Sequence, residues 1–257
     1  MILLADFPNI ADPAVITALV TLTLLEIILG VDNIIFISIV SNKLPESQQP
    51  KARTIGLLLA MVFRIILLFT ITWLIGLTKP VFTIGFIKSE GAPLGISWKD
   101  IILIAGGIFL IFKSTLEIHH KLEKAKTPEA KIAPSAFGAV VLQVVLVDAV
   151  FSFDSILTAI GLVDNVWTMV IAVIISMMIM IFFAGSISRF INRHPTLQIL
   201  ALAFLIMIGM LLVAEGFHHE INKSYVYTAI AFSLVVELIN MRLRKNHEPV
   251  DLNNKSL

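Results

Sequence analysis

Residues 14–40 read AVITALVTLTLLEIILGVDNIIFISIV, and two acids, Glu26 and Asp32, stand inside a run apolar and long enough to cross a membrane. Residues 136–162 do the same: AFGAVVLQVVLVDAVFSFDSILTAIGL carries Asp148 and Asp154. In both runs the second acid follows the first by six positions and is followed by an oxygen-bearing side chain, Asn33 or Ser155. A small residue, Gly30 or Ser152, precedes the second acid by two positions. A charge at bilayer depth costs about 2.5–3.5 kcal/mol on insertion scales. One such acid can be an accident of packing, but four in matched positions read as a site.

Working outward, the same criterion marks seven apolar runs, 14–40, 55–78, 101–118, 136–162, 165–188, 197–215 and 224–241. With 58% apolar and 14% charged residues the chain is far from soluble composition, so nearly all of it is expected to be membrane domain. The expected fold class is therefore all-α: a polytopic membrane protein of seven transmembrane helices. A net charge of +1 excludes a nucleic-acid partner, and the lack of cysteine excludes disulfides and thiolate metal sites. No basic segment precedes the first run, so it is expected to stay attached rather than be cleaved as a signal.

Lys and Arg placement predicts an N-terminus outside and a C-terminus in the cytoplasm. Lys43, Lys51 and Arg53 fall on the inner side, with Lys121, Lys124, Lys126, Lys131, Arg189, Arg193, Arg242, Arg244 and Lys245. Lys79, Lys88, Lys99 and Lys223 fall on the other. The 79–99 segment reads as the longest external loop, residues 121–134 as a cytoplasmic linker and 246–257 as a disordered tail.

Spans one to three match spans four to six in order: an acid-bearing span, a plain one, then a glycine-containing one ending in Glu117…His119-His120 or Glu215…His218-His219. An odd number of spans per half inverts the second half, which is a transporter signature with a site at the midplane. The domain reading is a membrane domain over 1–245, with repeat one at 14–118, repeat two at 136–219 and an extra helix at 224–241.

Residues six apart on an unbroken helix differ by about 600°, so each acid pair faces two ways. Either the helices break near Gly30 and Ser152 and lend carbonyls to an ion, which is the preferred expectation, or they stay whole and each gives one acid to the centre. Carboxylates with amide and hydroxyl oxygens (Asn33, Ser155, Thr158) suit a hard divalent cation such as magnesium, calcium or manganese. Arg64 and Lys113 are possible charge partners, although Lys113 can equally snorkel from a helix end. Protons competing for the same oxygens give a route to proton exchange. The Glu–His–His groups read as interfacial residues or as metal vestibules. Gly106-Gly107 and Met177–Met180 read as close helix packing and core filling.

The strings LLEIILGVDNIIFISIV and VVLVDAVFSFDSILTAIGL resemble the TerC family of bacterial membrane proteins, and LIFKSTLEIHH with RHPTLQILALAFL is similar to its YgdQ-like branch. The resemblance covers about residues 10–245. It implies a multi-pass inner-membrane protein that exports a divalent ion, manganese in better-studied members. Glu26, Asp32, Asn33, Asp148, Asp154 and Ser155 would then be the metal ligands. No resident cofactor is expected; the partners are the transported cation and the lipid bilayer. Two other readings stay open, an intramembrane aspartate-dependent hydrolase and an envelope-stress scaffold. The first lacks the Gly-x-Gly-Asp string of intramembrane aspartyl proteases.

Overall fold

The computed structural model describes residues 7–9, 11–70, 75–89, 92–123, 136–160, 163, 165–219 and 221–243; the side chains of Asp32, Asp154 and Thr158 lie outside that description. The described residues contain seven helices: α1 (Pro13–Ser41), α2 (Gln49–Phe69), α3 (Trp98–Leu122), α4 (Ala136–Ile160), α5 (Val166–Asn192), α6 (Pro195–Gly216) and α7 (Lys223–Leu243). The sequence places their starts. Asp12 accepts a hydrogen bond from Ala14 N at 2.9 Å with Pro13 in the first turn, and Asn165 Oδ1 accepts from Trp167 N and Thr168 N. Proline also opens α2 and α6. Such positions satisfy or remove the amides that have no partner in a first helical turn.

Six of these helices are long and apolar enough to span a membrane, and α4 adds a shorter apolar run, Phe137–Phe153. Val20, Leu24 and Ile28 on α1 are all about half exposed or more, as are Phe112 and Phe182. An apolar exterior of this kind suits lipid rather than water. The chain is an all-α polytopic membrane protein.

Two expectations need correction. The 79–99 loop folds as an antiparallel hairpin, β1 (Pro80–Ser89) with β2 (Ala92–Ser97), in which Thr83 pairs with Gly95 and Ser89 with Ala92. Val81, Phe82, Thr83 and Ile84 are strand formers. The second span begins at Gln49 and ends at Phe69, earlier than 55–78. Hydropathy counts apolar residues, whereas the backbone turns helical at Gln49 and runs on through polar Lys51 and Arg53. Most of the linker read at 121–134 and the tail at 246–257 lie outside the described residues.

The chain divides into two units. Unit 1 (Met1–Leu77 and Ala133–Ile187) holds α1, α2, α4 and most of α5. Phe36, Ile37, Leu57, Leu68, Ile156, Met169 and Met177 form its buried core. Gly56 lets α2 approach α4, since a Cβ there would lie 2.7 Å from Val144 Cγ1. Unit 2 (Thr78–Ile132 and Ser188–Leu257) holds the hairpin, α3, α6 and α7. Its α3 and α6 meet backbone to backbone: a Cβ on Gly107 would lie 2.5 Å from the Gly209 carbonyl oxygen, and one on Gly209 2.8 Å from that of Gly107. The glycine reading of close packing holds for Gly107.

Candidate carboxylate site in unit 1

Neither acid-bearing helix breaks. α1 runs without interruption through Gly30 and α4 through Ser152, which corrects the preferred expectation of broken helices. Each unpaired backbone group in hydrocarbon costs several kcal/mol, more than the roughly 1 kcal/mol a glycine costs inside a helix. Ser152 also turns its hydroxyl inward, with Oγ 2.5 Å from the Asp148 carbonyl oxygen. That is the usual outlet for a serine within a helix.

On an unbroken helix, residues seven apart return to nearly the same face. Glu26 and Asn33 therefore share one side of α1. Asp148 is the middle residue of α4, and Glu26 is one residue short of the middle of α1. Both acids thus stand near the middles of their helices, and α2 supplies what joins them. Arg64 Nε donates to Asp148 Oδ2 at 2.9 Å and Nη2 to Oδ1 at 2.7 Å, while Nη1 donates to Glu26 Oε2. Asn33 Nδ2 donates to Asp148 Oδ1 at 3.0 Å, and Ser152 Oγ lies 3.0 Å from Oδ2. Glu26, Asn33, Arg64 and Asp148 are all 6% exposed or less, so these contacts are made out of water.

Of the six expected ligands, the fold brings three together: Glu26, Asn33 and Asp148. Ser155 bonds within its own helix, to the Ser152 carbonyl at 3.3 Å. The side chains of Asp32 and Asp154 lie outside the described residues. Arg64 is a charge partner, and of two acids at once. Lys113 Nζ lies 4.0 Å from Glu117, one turn on along α3 in unit 2. Among the described residues no three His, Asp or Glu side chains come together as a metal site. The centre is two carboxylates, one amide and one guanidinium.

The amide is incompletely used. Asn33 Oδ1 is buried and has no hydrogen-bond partner among the described residues. An ionised carboxylate only accepts, so Nδ2 must be the end that faces Asp148. The oxygen is therefore the end left over. Thr23 Oγ1 and Gln143 Nε2 in the same unit are likewise buried without a partner among the described residues.

Unit 2 carries polar groups the sequence reading undervalued. Lys121, read as the start of the linker, is buried in the last turn of α3 and donates to Gln198 Oε1 at 2.6 Å. Ser114, Glu117 and Lys121 all stand on that buried face, a spacing of three and four that would have flagged them. Asp100, not singled out before, accepts from Ser97 N and Ser97 Oγ in a capping box, and from His218 Nε2 at 3.0 Å. Glu215 pairs with Lys99 at 3.4 Å. His119 pairs with Glu123 at 3.4 Å. Glu117, His119, Glu215 and His218 thus make contacts of this ordinary kind, whereas His120 Nδ1 is buried without a hydrogen-bond partner among the described residues.

The family described as Integral membrane protein TerC family matches residues 11–250. The UPF0053 inner membrane protein YgdQ of Escherichia coli (strain K12) is 46% identical over 241 residues, 93% of this chain and 98% of the relative. A UPF0053 protein of Haemophilus influenzae is 45% identical over 241 residues, with the same coverage. The UPF0053 inner membrane protein YoaE of Escherichia coli (strain K12) is 44% identical over 236 residues, and the chain spans 44% of that longer relative. No solved structure gives a significant match.

Proposed function

The chain belongs to the TerC family of integral membrane proteins, and on that premise we propose that it is an inner-membrane transporter exporting a divalent metal ion, with manganese the first candidate. One observation carries the reading: Glu26 and Asp148, the equivalent acids of the two proposed inverted repeats, are joined through one guanidinium near the middles of their helices, and the neighbouring Asn33 carries an amide oxygen that lacks a partner among the described residues. Intramembrane acids that face the protein interior are the usual mark of an ion pathway. Oxygen-only donors favour hard cations. The names of the relatives support an inner-membrane location. Asp32, Asp154 and Ser155 are proposed to complete the ligand set, and proton exchange is the proposed coupling. The N-terminus is proposed to lie outside and the C-terminus in the cytoplasm.

Aspartate-dependent hydrolysis needs two carboxylates sharing a proton. Glu26 and Asp148 share a guanidinium instead, which disfavours that chemistry and supports a transporter rather than an enzyme. The test is flux. Purified protein in proteoliposomes, loaded with manganese, magnesium or calcium in turn, is expected to release manganese fastest. Asp148→Asn is expected to reduce that release at least tenfold. Release that ignores an imposed pH gradient removes proton coupling, and no release of any of the three ions removes the transporter reading.

A further inference from the structure

The Arg64 guanidinium occupies the space between the carboxylates that a cation would need. We propose that Arg64 is a tethered stand-in for the transported ion: it holds the empty site, and the dication binds by displacing it from Glu26 and Asp148. The inference rests on the transporter reading above.

Three observations carry it. The first is the donor set. Glu26 Oε2 and both Asp148 oxygens already bind a cation, the one at the end of the Arg64 side chain. Add the buried, unpartnered Asn33 Oδ1 and the oxygens are those a hard dication takes. The second is charge. Two carboxylates against one guanidinium leave the cluster one positive charge short among the described residues. A dication in place of the guanidinium closes that deficit. Against Glu26 and Asp148 alone both together would overshoot, and arginine cannot escape the repulsion by losing its proton. The third is attachment. The acids come from α1 and α4 and the guanidinium from α2, so its flexible stem can withdraw while the two acid-bearing helices stay in place. A permanent structural clamp predicts balanced charge and satisfied polar atoms. This cluster has neither among its described residues.

A stand-in cation does two things for transport. It spares the empty site from exposing bare carboxylates to hydrocarbon, and its return expels the ion. Removing it should therefore tighten binding and stop turnover together. The experiment is Arg64→Gln in the full chain, with manganese affinity measured by titration calorimetry in detergent and flux measured in proteoliposomes. Affinity is expected to rise at least tenfold while flux falls at least tenfold. Affinity equal to or weaker than wild type overturns the proposal and leaves the transporter reading standing. Wild-type protein that neither binds nor carries manganese, magnesium or calcium overturns both. Where Arg64→Gln does not fold, wild type is treated with phenylglyoxal and the Arg64 adduct is quantified by mass spectrometry. Saturating manganese is expected to speed labelling of Arg64 at least fivefold, and labelling that is unchanged or slower overturns the proposal.

Discussion

Arg64 is the only cation on Glu26 and Asp148 among the described residues, and this makes the cost of breaking the cluster asymmetric. Arg64→Met strands two buried carboxylates, and breaking a buried pair by deleting one partner costs about 3–5 kcal/mol. Asp148→Asn removes one charge but leaves Arg64 balanced by Glu26. It forfeits part of a bidentate contact, so the expected cost is about 1.5–3 kcal/mol, the range for hydrogen bonds to charged groups. Glu26→Gln touches a single contact and should cost least. The all-neutral triple variant, Arg64→Met with Glu26→Gln and Asp148→Asn, should recover much of the loss, because replacing an entire buried ion cluster is often neutral. The assay is the apparent Tm of metal-free protein in detergent. At roughly 2–4 °C per kcal/mol for a chain of this size, Arg64→Met should fall by on the order of 10 °C. Arg64→Met no worse than Asp148→Asn, or a triple variant below the single, would refute the shared-cation geometry.

Other expectations are simpler. Gly107→Ala drives a methyl to 2.5 Å from the Gly209 carbonyl oxygen and should lower stability by about 1–3 kcal/mol, read as Tm, with Gly107→Ala/Gly209→Ala costing less than the sum. Gln198→Leu leaves the Lys121 ammonium without that acceptor in a buried place and should cost about 1–3 kcal/mol; Lys121→Met/Gln198→Leu should regain most of it in the same melt. Ser152→Ala removes a contact to Asp148 that the helix does not need, so Tm should change by less than about 1 kcal/mol equivalent.

Much of this fold was open to reading in the sequence, because hydrophobic length is a strong signal in a membrane chain. Six of the seven helices stand where apolar runs stand, and α2 overlaps the seventh run but starts and ends earlier. The course of the backbone inside a run was less legible: Gly30 and Ser152 look like breaks on paper, but hydrocarbon penalises an opened helix more than it penalises a glycine. Polarity misled at Lys121, whose charge suggested a linker although its spacing from Ser114 and Glu117 marks one helix face. The strand residues Val81–Ile84 were visible, yet a short segment beside seven long hydrophobic ones draws little notice. At the site, the acids and their duplication were evident from residue types alone. That one arginine on another helix would serve both acids was not, since pairing across sequence separations of 38 and 84 residues is set only by tertiary packing.

The Gly107–Gly209 crossing has a mechanical consequence. Two main chains in direct touch have no side-chain cushion to shear, so α3 and α6 are welded into one girder. Deuterium should reach the amides around that weld last of all in unit 2, long after it has reached α7, whose apolar span is only 6% buried.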